Sequence, residues 1–330
     1  MAINPFVLGS GMAAKALEKA LAILSLQHPT WDIQKAVHLS RGEKFSIPPR
    51  TENPVLVIAN PHGLHAAAIA EGEKAGFKAI VVEKPSCVNA KEIELLKPVR
   101  LPVAVCHVIR QTWGPQTLKR MLEAGELGDL VSLEGRYWQS SSAKRAIGQS
   151  HTPHPWKNDP VLSGGSDTFI DIGVHWVDLT SYLMGENSFK GTAWVGYANA
   201  EAPHRDTHVQ FNLKFSAGRQ AVGSVSKNVH GAGNDFEVHL LGTKQSASWS
   251  FQNPDGIWVG KGGSRTFVPR SDNDMGSQQP AFHGMGWLEG YIEIVRQLLL
   301  ETQGQGGGNY PKLSENLKMM ESLFALEKLQ

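Results

Sequence analysis

The stretch IVVEKPSCV, residues 80–88, ends an apolar β-branched run on Glu83, Lys84 and Pro85 without a spacer. A lysine fixed between a strand end and a proline has its stem direction set by the fold. It carries a positive charge to wherever that strand points. A second cluster stands at D-x-G-x-H-x-x-D, as Asp171, Gly173, His175 and Asp178. In one continuous helix, positions i, i+4 and i+7 share a face. Two acids and an imidazole would then stand together, while Phe169, Ile172, Val174, Trp176 and Val177 largely occupy the rest. Buried acid–imidazole groups are costly unless partnered, so the cluster marks either a site or a satisfied hydrogen-bond network. The chemistry these types allow is proton transfer at an oxygen. His175 can exchange a proton near neutral pH, and Asp171 can stabilise its charged form. Lys84 can stabilise negative charge building on an oxygen. No second ligand-dense segment accompanies the helix, so no metal is expected.

A third motif, VLGSGMAAKAL, holds G-x-G-x-x-A at Gly9, Gly11 and Ala14, after a predicted strand and at the start of a helix. Gly9 permits the tight turn, Gly11 lets a pyrophosphate approach the backbone, and Ala14 lets helix and strand pack closely. Ser10, Met12 and Ala13 complete a turn whose N–H groups would face phosphates. The acid expected at the end of the second strand is absent, and VHLSRG ends instead on Ser40 and Arg41. A hydroxyl and a guanidinium suit a ribose 2′-phosphate better than a free hydroxyl; the alternative is a solvated loop arginine. NPHGLH follows another strand, and Asn60, Pro61, His62 and His65 fall in the kind of loop that lines the crevice of a parallel sheet. His65 could equally cap or pack its own helix.

Elements must position these residues. FVLG, KAVHLS, PVLVIAN, AIVVE and LPVAVCHV read as strands, with helices at AAKALEKALAILSL, LHAAAIAEGEKA and, shorter, KEIELL. Alternation of this kind gives right-handed crossovers and a parallel sheet covered on both faces. Only RGEKFSIPPRTE separates the second and third strands, so the adenine side of that sheet is abbreviated. From about residue 193 the texture changes to period-two strands punctuated by AG, NPDG and KGG turns, which predicts a large antiparallel sheet. The site helix precedes that sheet, and two helices, WLEGYIEIVRQLLLE and SENLKMMESLFALEKL, follow it.

Composition excludes several classes. Lys plus Arg and Asp plus Glu nearly cancel, 32 against 31, so no polyanion or nucleic-acid partner is expected. No run approaches the roughly 18 apolar residues of a membrane span. The first residues lack a basic leader pattern, and the two cysteines, Cys87 and Cys106, lack C-x-x-C spacing and read as reduced core thiols. The expected compartment is the cytoplasm.

Taken together, GSGMAA, NPHGLH, VVEKP, LKRMLEAGELGDLVSLEG, WKNDPVLSGGSDTFIDIGVHWVD and FEVHLLGTKQSASW resemble the glucose–fructose oxidoreductase/inositol dehydrogenase (Gfo/Idh/MocA) family, in its order and over nearly the whole chain. The resemblance implies an α/β chain with a Rossmann dinucleotide-binding domain over residues 1–120. Residues 121–330 would form an α+β domain with a large, mostly antiparallel open sheet for substrate binding and oligomerisation. It implies a nicotinamide cofactor and oxidation or reduction of a sugar, polyol or related hydroxyl compound. Lys84 then matches the lysine beside the nicotinamide, in a lysine–proline bond that is often cis. Asp171 and His175 match the family's acid and imidazole, and Trp156 and Lys157 fall where Trp–Arg often precedes the site helix. Tyr310 and Pro311 match a loop approaching the crevice. Ser166 stands where a third glycine is frequent, and His107 where an aromatic residue is more common.

The expected function is an NADP-preferring, or NAD-dependent, dehydrogenase or reductase with Lys84, Asp171 and His175 as its catalytic groups. Glu83 is expected beside the cofactor, and Trp156 and Lys157 beside the substrate. Two relatives of that function stay open: a glycoside hydrolase using bound NAD, and a non-catalytic cofactor-sensing regulator. A homodimer or homotetramer is expected through the sheet face away from the site helix. That face would carry Val209, Phe211, Leu213 and Phe215 or their neighbours, depending on register.

Overall fold

The computed structural model describes residues 2–40, 42–149, 155–198, 204–271, 284 and 286–330. In chain order the elements are β1 (Ala2–Leu8), α1 (Met12–Gln27), β2 (Asp32–Ile33), β3 (Val37–Leu39), β4 (Pro54–Ile58), α2 (His65–Ala75), β5 (Ala79–Val82), α3 (Ala90–Leu96) and β6 (Val103–Val105). Then come α4 (Trp113–Glu123), β7 (Leu130–Gln139), α5 (Ser141–Ala146), α6 (Pro160–Ser163), α7 (Thr168–Asp171) and α8 (Gly173–Met184). They are followed by β8 (Lys190–Gly196), β9 (His208–Lys214), β10 (Gln220–Ser226), β11 (Asn234–Gly242), β12 (Ser246–Ser250), β13 (Gly256–Lys261) and β14 (Ser264–Pro269). Last are α9 (Trp287–Thr302), α10 (Leu313–Phe324) and β15 (Glu327–Leu329).

The chain forms two units. The first comprises Met1–Gln111 with Trp287–Met320, the second Thr112–Gly286 with Glu321–Gln330. This differs from a division at residue 120, because α9 and most of α10 belong to the first unit. Their side chains explain the return. Tyr291 of α9 and Asn316 of α10 make buried hydrogen bonds to Glu83 and to Ser86 and His107.

The first unit is a parallel sheet in the order β2-β1-β4-β5-β6, with β3 also pairing β1. β4 and β5 are buried at every position, as the unbroken apolar runs PVLVI and AIVV require of central parallel strands. The strand order reverses between β1 and β4, the switch point at which the carboxyl edge of such a sheet opens a crevice. No helix or strand intervenes from residue 42 to residue 53, so the abbreviated side is as expected. That loop is tied down where Phe45 packs edge-on against Phe77 and its N–H donates to Glu71.

The second unit is built on a nine-stranded sheet, β14-β13-β12-β11-β7-β10-β9-β8-β15. Its pairs are antiparallel except β7–β10 and β8–β15. The last residues, within the segment expected to be helical to its end, instead form β15 at the sheet edge. One face is covered by α8. Trp176 stacks on Phe211 at 5.6 Å between ring centroids and lies over Gly223, where a Cβ would stand 2.2 Å from the indole. Gly223 pairs with Gly135, so two glycines side by side make the depression that the indole fills. Val209, Phe211, Leu213 and Phe215 all lie on this covered side. The open face therefore carries their neighbours, and in β9 these are His208, Gln210, Asn212 and Lys214. The apolar stripe expected there is replaced by a mixed surface. Trp194, Val222 and Trp258 are exposed among charges, with Arg136 paired to Asp235 and Glu237.

Candidate active site

In the first unit the sequence-predicted residues gather at the carboxyl edge of the sheet. Gly9 takes φ +132°, and a Cβ on it would stand 2.3 Å from the carbonyl oxygen of Ala59. Both facts demand glycine. The same closeness brings the ends of β1 and β4 together, with the Ala59 N–H donating to the Leu8 carbonyl at 2.8 Å. Gly11 has open space where its Cβ would be, and α1 starts there with no side-chain cap and no acid in its first turn. Ser10 and Met12 are exposed and Ala13 part-buried. Uncapped N–H groups at the start of a sixteen-residue helix, with room above Gly11, fit the pyrophosphate of a dinucleotide. In the adjoining loop the Asn60 side-chain oxygen is buried with no partner among the described residues, which suits a ligand donor. Ser40 is exposed just beyond β3, and Arg41 lies outside the described residues.

Lys84 follows β5 and is part-buried, and the Lys84–Pro85 peptide is cis. Three helices hold the residues around it. Glu83, one position before, accepts a hydrogen bond from the hydroxyl of Tyr291 on α9. The carbonyl of Pro85 lies 2.7 Å from Nδ1 of His65 on α2. Ser86 donates to Asn316 on α10 at 2.6 Å, and the amide of Asn316 donates in turn to Nε2 of His107 at 2.8 Å. His65 is 0% exposed, with Nε2 lying 2.8 Å from the Asn60 carbonyl. Its ring nitrogens are thus both occupied by backbone. The sequence left His65 between a cofactor contact and a role in its own helix; in the fold its two ring nitrogens lie against carbonyls of the Asn60 and Lys84 loops. Pro61 and His62 are buried in the same loop, with the His62 ring edge-on to His65. Tyr310 is likewise buried, and Pro311 accepts from the N–H of Val105 at 2.8 Å.

In the second unit the predicted single helix is broken. α7 ends at Asp171 and α8 begins at Gly173, with Ile172 between them at φ −113°, ψ −26°. The His175 N–H reaches back to the Ile172 carbonyl at 3.2 Å, a tight turn that restarts the helix. Asp171 and His175 therefore sit on successive short segments rather than on one helical face. Asp178, farther along α8, is buried. The His175 ring stands edge-on to Tyr137 of β7, centroids 5.9 Å apart. Burial is the main cause of a raised Tyr137 hydroxyl pKa, with the Asp171 charge adding to it, so the ring remains a neutral phenol. Lys157 makes an ion pair with Asp171 Oδ2 at 2.9 Å and lies over the Trp156 ring. A second ammonium, that of Lys227, reaches the same oxygen at 2.6 Å and Asp167 Oδ1 at 2.6 Å.

Sequence reasoning missed Lys227, Asp167, Asp206, Tyr291 and Asn316. The signal for Lys227 was faint: a lysine at the end of an alternating strand reads as solvated. Cys87 and Cys106 are free and buried, as expected, and burial pushes the Cys87 thiol up to about 12.

Residues 116–248 match the family model of the GFO/IDH/MocA C-terminal domain. Levoglucosan dehydrogenase of Pseudarthrobacter phenanthrenivorans is 29% identical over 232 residues, covering 62% of this chain and 57% of that protein. The chain thus matches about three fifths of the length of its curated relatives. The fold is that of a levoglucosan dehydrogenase solved with NADH, TM-score 0.81 at 20% identity, over 98% of this chain and 97% of that one. An inositol dehydrogenase homolog from Azotobacter vinelandii, solved with NAD+, superposes with TM-score 0.79 at 16% identity, over 98% and 95% of the two chains. The Gfo/Idh/MocA resemblance and the expected fold class both hold. Among the described residues no helix is long and apolar enough to cross a membrane.

Proposed function

We propose that this chain is an NAD(P)-dependent oxidoreductase that transfers hydride between a nicotinamide and a sugar, polyol or related hydroxyl or keto compound. The observation that carries this reading is the carboxylate of Asp171 between two ammonium groups, four residues before His175, in a chain that also holds Lys84 in Glu-Lys-Pro. Levoglucosan and inositol, named for its relatives, are cyclic polyhydroxyl compounds and point to the same substrate class.

A bound nicotinamide would supply the hydride acceptor or donor. The chain's own part is to manage the proton and the charge. Oxidising an alcohol requires a base for its hydroxyl proton, and an imidazole is the side chain whose ordinary pKa suits that task, which gives the role to His175. Asp171, favoured as an anion by its two lysines, stabilises the imidazolium that results. Lys84 stabilises negative charge on the reacting oxygen, while Trp156 and Lys157 contact the substrate. The Gly9–Ala13 turn and the Asn60–His62 loop hold the dinucleotide, with Glu83 beside it. Ser40 and Arg41, with no acid at the end of the second strand, favour NADP over NAD.

We also infer a cytoplasmic homodimer or homotetramer, joined through the open face of the nine-stranded sheet. Exposed Trp194, Val222 and Trp258 supply apolar area there, and Arg136, Asp235 and Glu237 supply both signs of charge to a second copy. A monomer by light scattering at micromolar concentration would end that inference.

The decisive experiment compares wild type with Lys84→Ala and His175→Ala on a panel of sugars and polyols, with both nicotinamide cofactors. Each substitution should lower turnover by about 10²–10⁴ and leave cofactor affinity within a few-fold, because the phosphates are held elsewhere. Full activity in a folded His175→Ala protein would sink the mechanism.

A further inference from the structure

We infer that Lys227 is a positioning residue for Asp171, a single buried ammonium that holds both ends of the short helix leading into the site. The inference rests on the dehydrogenase reading only in naming Asp171 as part of the site.

Lys227 lies directly after β10, its N–H donating to the Thr207 carbonyl at 3.0 Å. It is 2% exposed. Its ammonium donates to Asp167 Oδ1 and Asp171 Oδ2, each at 2.6 Å. These two acids bracket α7, and the Asp171 N–H also bonds the Asp167 carbonyl at 2.7 Å. A helix of one turn has little stability of its own. Here it is clamped at its two ends by one cation.

The surroundings complete the clamp. Asp206, just ahead of β9, accepts from the N–H groups of Asp167 at 2.5 Å and Phe169 at 2.6 Å, and so caps α7 from outside. Arg205 donates to the carbonyls of Gly164 at 2.6 Å and Ser166 at 3.0 Å, and its guanidinium lies 4.0 Å from Asp167. Lys157, Arg205 and Lys227 thus stand among Asp167, Asp171 and Asp206, and the Lys328 ammonium, over the Phe169 ring, also feels the Asp206 charge. Burial alone would lower the Lys227 pKa, but the Asp171 and Asp167 charges outweigh it and hold it above its ordinary value. The ammonium therefore stays charged across the working pH range.

Two lysines share Asp171 Oδ2, and they differ in reach. The Lys157 side chain is 31% exposed and the Lys227 side chain 3%. Lys157 can leave the carboxylate for a ligand oxygen. Lys227 cannot, and it keeps Asp171 ionised when Lys157 moves. Asp171 then acts as a fixed negative charge, and the proton travels on His175 alone.

The test reads the protonation of Asp171 directly, by carboxyl-carbon NMR against pH in ligand-free protein, the signal being assigned by its loss in Asp171→Asn. The groups on this carboxyl are Lys227 beyond β10, Lys157 before α6 and Tyr137 of β7; Asp167 shares Lys227 with it, and Arg205 lies 4.0 Å from Asp167. Lys227→Met should raise the Asp171 midpoint by about 1–3 pH units, and Lys227→Arg should restore most of it. Because Lys227→Met leaves Asp167 buried beside fewer cations, Lys227→Met/Asp167→Asn is made as well. That pair recovers charge balance and melting temperature, yet should keep the raised midpoint. On any sugar or polyol that wild type oxidises, the acid limb of the turnover profile should move up with it. An Asp171 midpoint unchanged in the double variant would overturn the proposal. Absence of turnover by wild type with every substrate tried would instead overturn the dehydrogenase reading and leave the NMR result standing.

Discussion

The hydroxyl of Tyr291 donates to the carboxylate of Glu83, tying α9 to the residue immediately before Lys84. The two are 208 positions apart in sequence and both are buried. A strand end that carries a candidate catalytic lysine is thereby fixed by a helix from the far end of the chain. Together with His65 on the Pro85 carbonyl and Asn316 on Ser86, it leaves Lys84 little freedom except along its own stem.

Tyr291→Phe removes that donor without changing shape. Taking a hydrogen-bond donor from a buried carboxylate typically costs about 1–3 kcal/mol, so melting temperature should fall. Turnover should fall too, by up to about 10²-fold if Lys84 is displaced by an ångström, while cofactor affinity stays near wild type. A variant that loses stability but keeps full turnover per folded molecule would show that Tyr291 does not position Lys84.

How much of this was legible beforehand follows from range. The glycine turn, the β-branched strands and the alternating strands are local patterns and fold largely as read, although LPVAVCHV is a strand only over Val103–Val105. The return of α9 and α10 to the first unit was not legible, because Tyr291 and Asn316 signal their partners only once the chain has folded. The break at Ile172 was hidden for a related reason. Periodicity across FIDIGVHWV is helical, and the interruption comes where Gly173 packs against Phe211, a Cβ there standing 3.1 Å from that ring. Lys227 was hidden because a lysine's burial depends on carboxylates brought from other segments.

Gly223 tests whether the depression under Trp176 matters to the site. Gly223→Ala would put a methyl 2.2 Å from an indole that is 0% exposed and already stacked on Phe211. Overpacking of this kind typically costs about 1–3 kcal/mol. Because Trp176 directly follows His175, turnover should drop along with melting temperature. Gly263→Ala, in the β13–β14 turn with nothing within 4 Å of its Cβ, serves as the control and should behave as wild type. If Gly223→Ala melts like the control, the indole is not held as described.

The cofactor preference rests on sequence at Ser40 and Arg41. Arg41→Glu would replace the proposed 2′-phosphate partner by a repulsive charge, so NADP affinity should fall by about tenfold or more and NAD affinity far less. Calorimetric titration with both cofactors reads it. Wild-type protein that binds NAD the more tightly would remove Arg41 from the cofactor site.

The His65 ring gives a pH prediction whose sign can be worked out. Burial is the largest influence and lowers its pKa; the Lys84 charge lowers it further, against the raising effect of the Pro85, Asn60 and Glu83 backbone contacts. The lowered pKa favours the neutral ring, which can donate to only one of its two carbonyls. In the unfolded chain it titrates at about 6.5. Below that value the unfolded state binds more protons, so stability falls as pH falls. The contribution is complete above the unfolded pKa and is lost as pH drops through the folded one. Replacing the ring by a group that cannot charge, in His65→Gln, should flatten this acid slope in the melting temperature between neutrality and pH of about 5, whatever the variant's overall stability. If both carbonyls instead held the ring as an imidazolium, wild type would gain stability relative to His65→Gln on acidification. Equal slopes in the two proteins would mean that His65 does not titrate in this window, and the neutral form of the buried ring would have no support from pH.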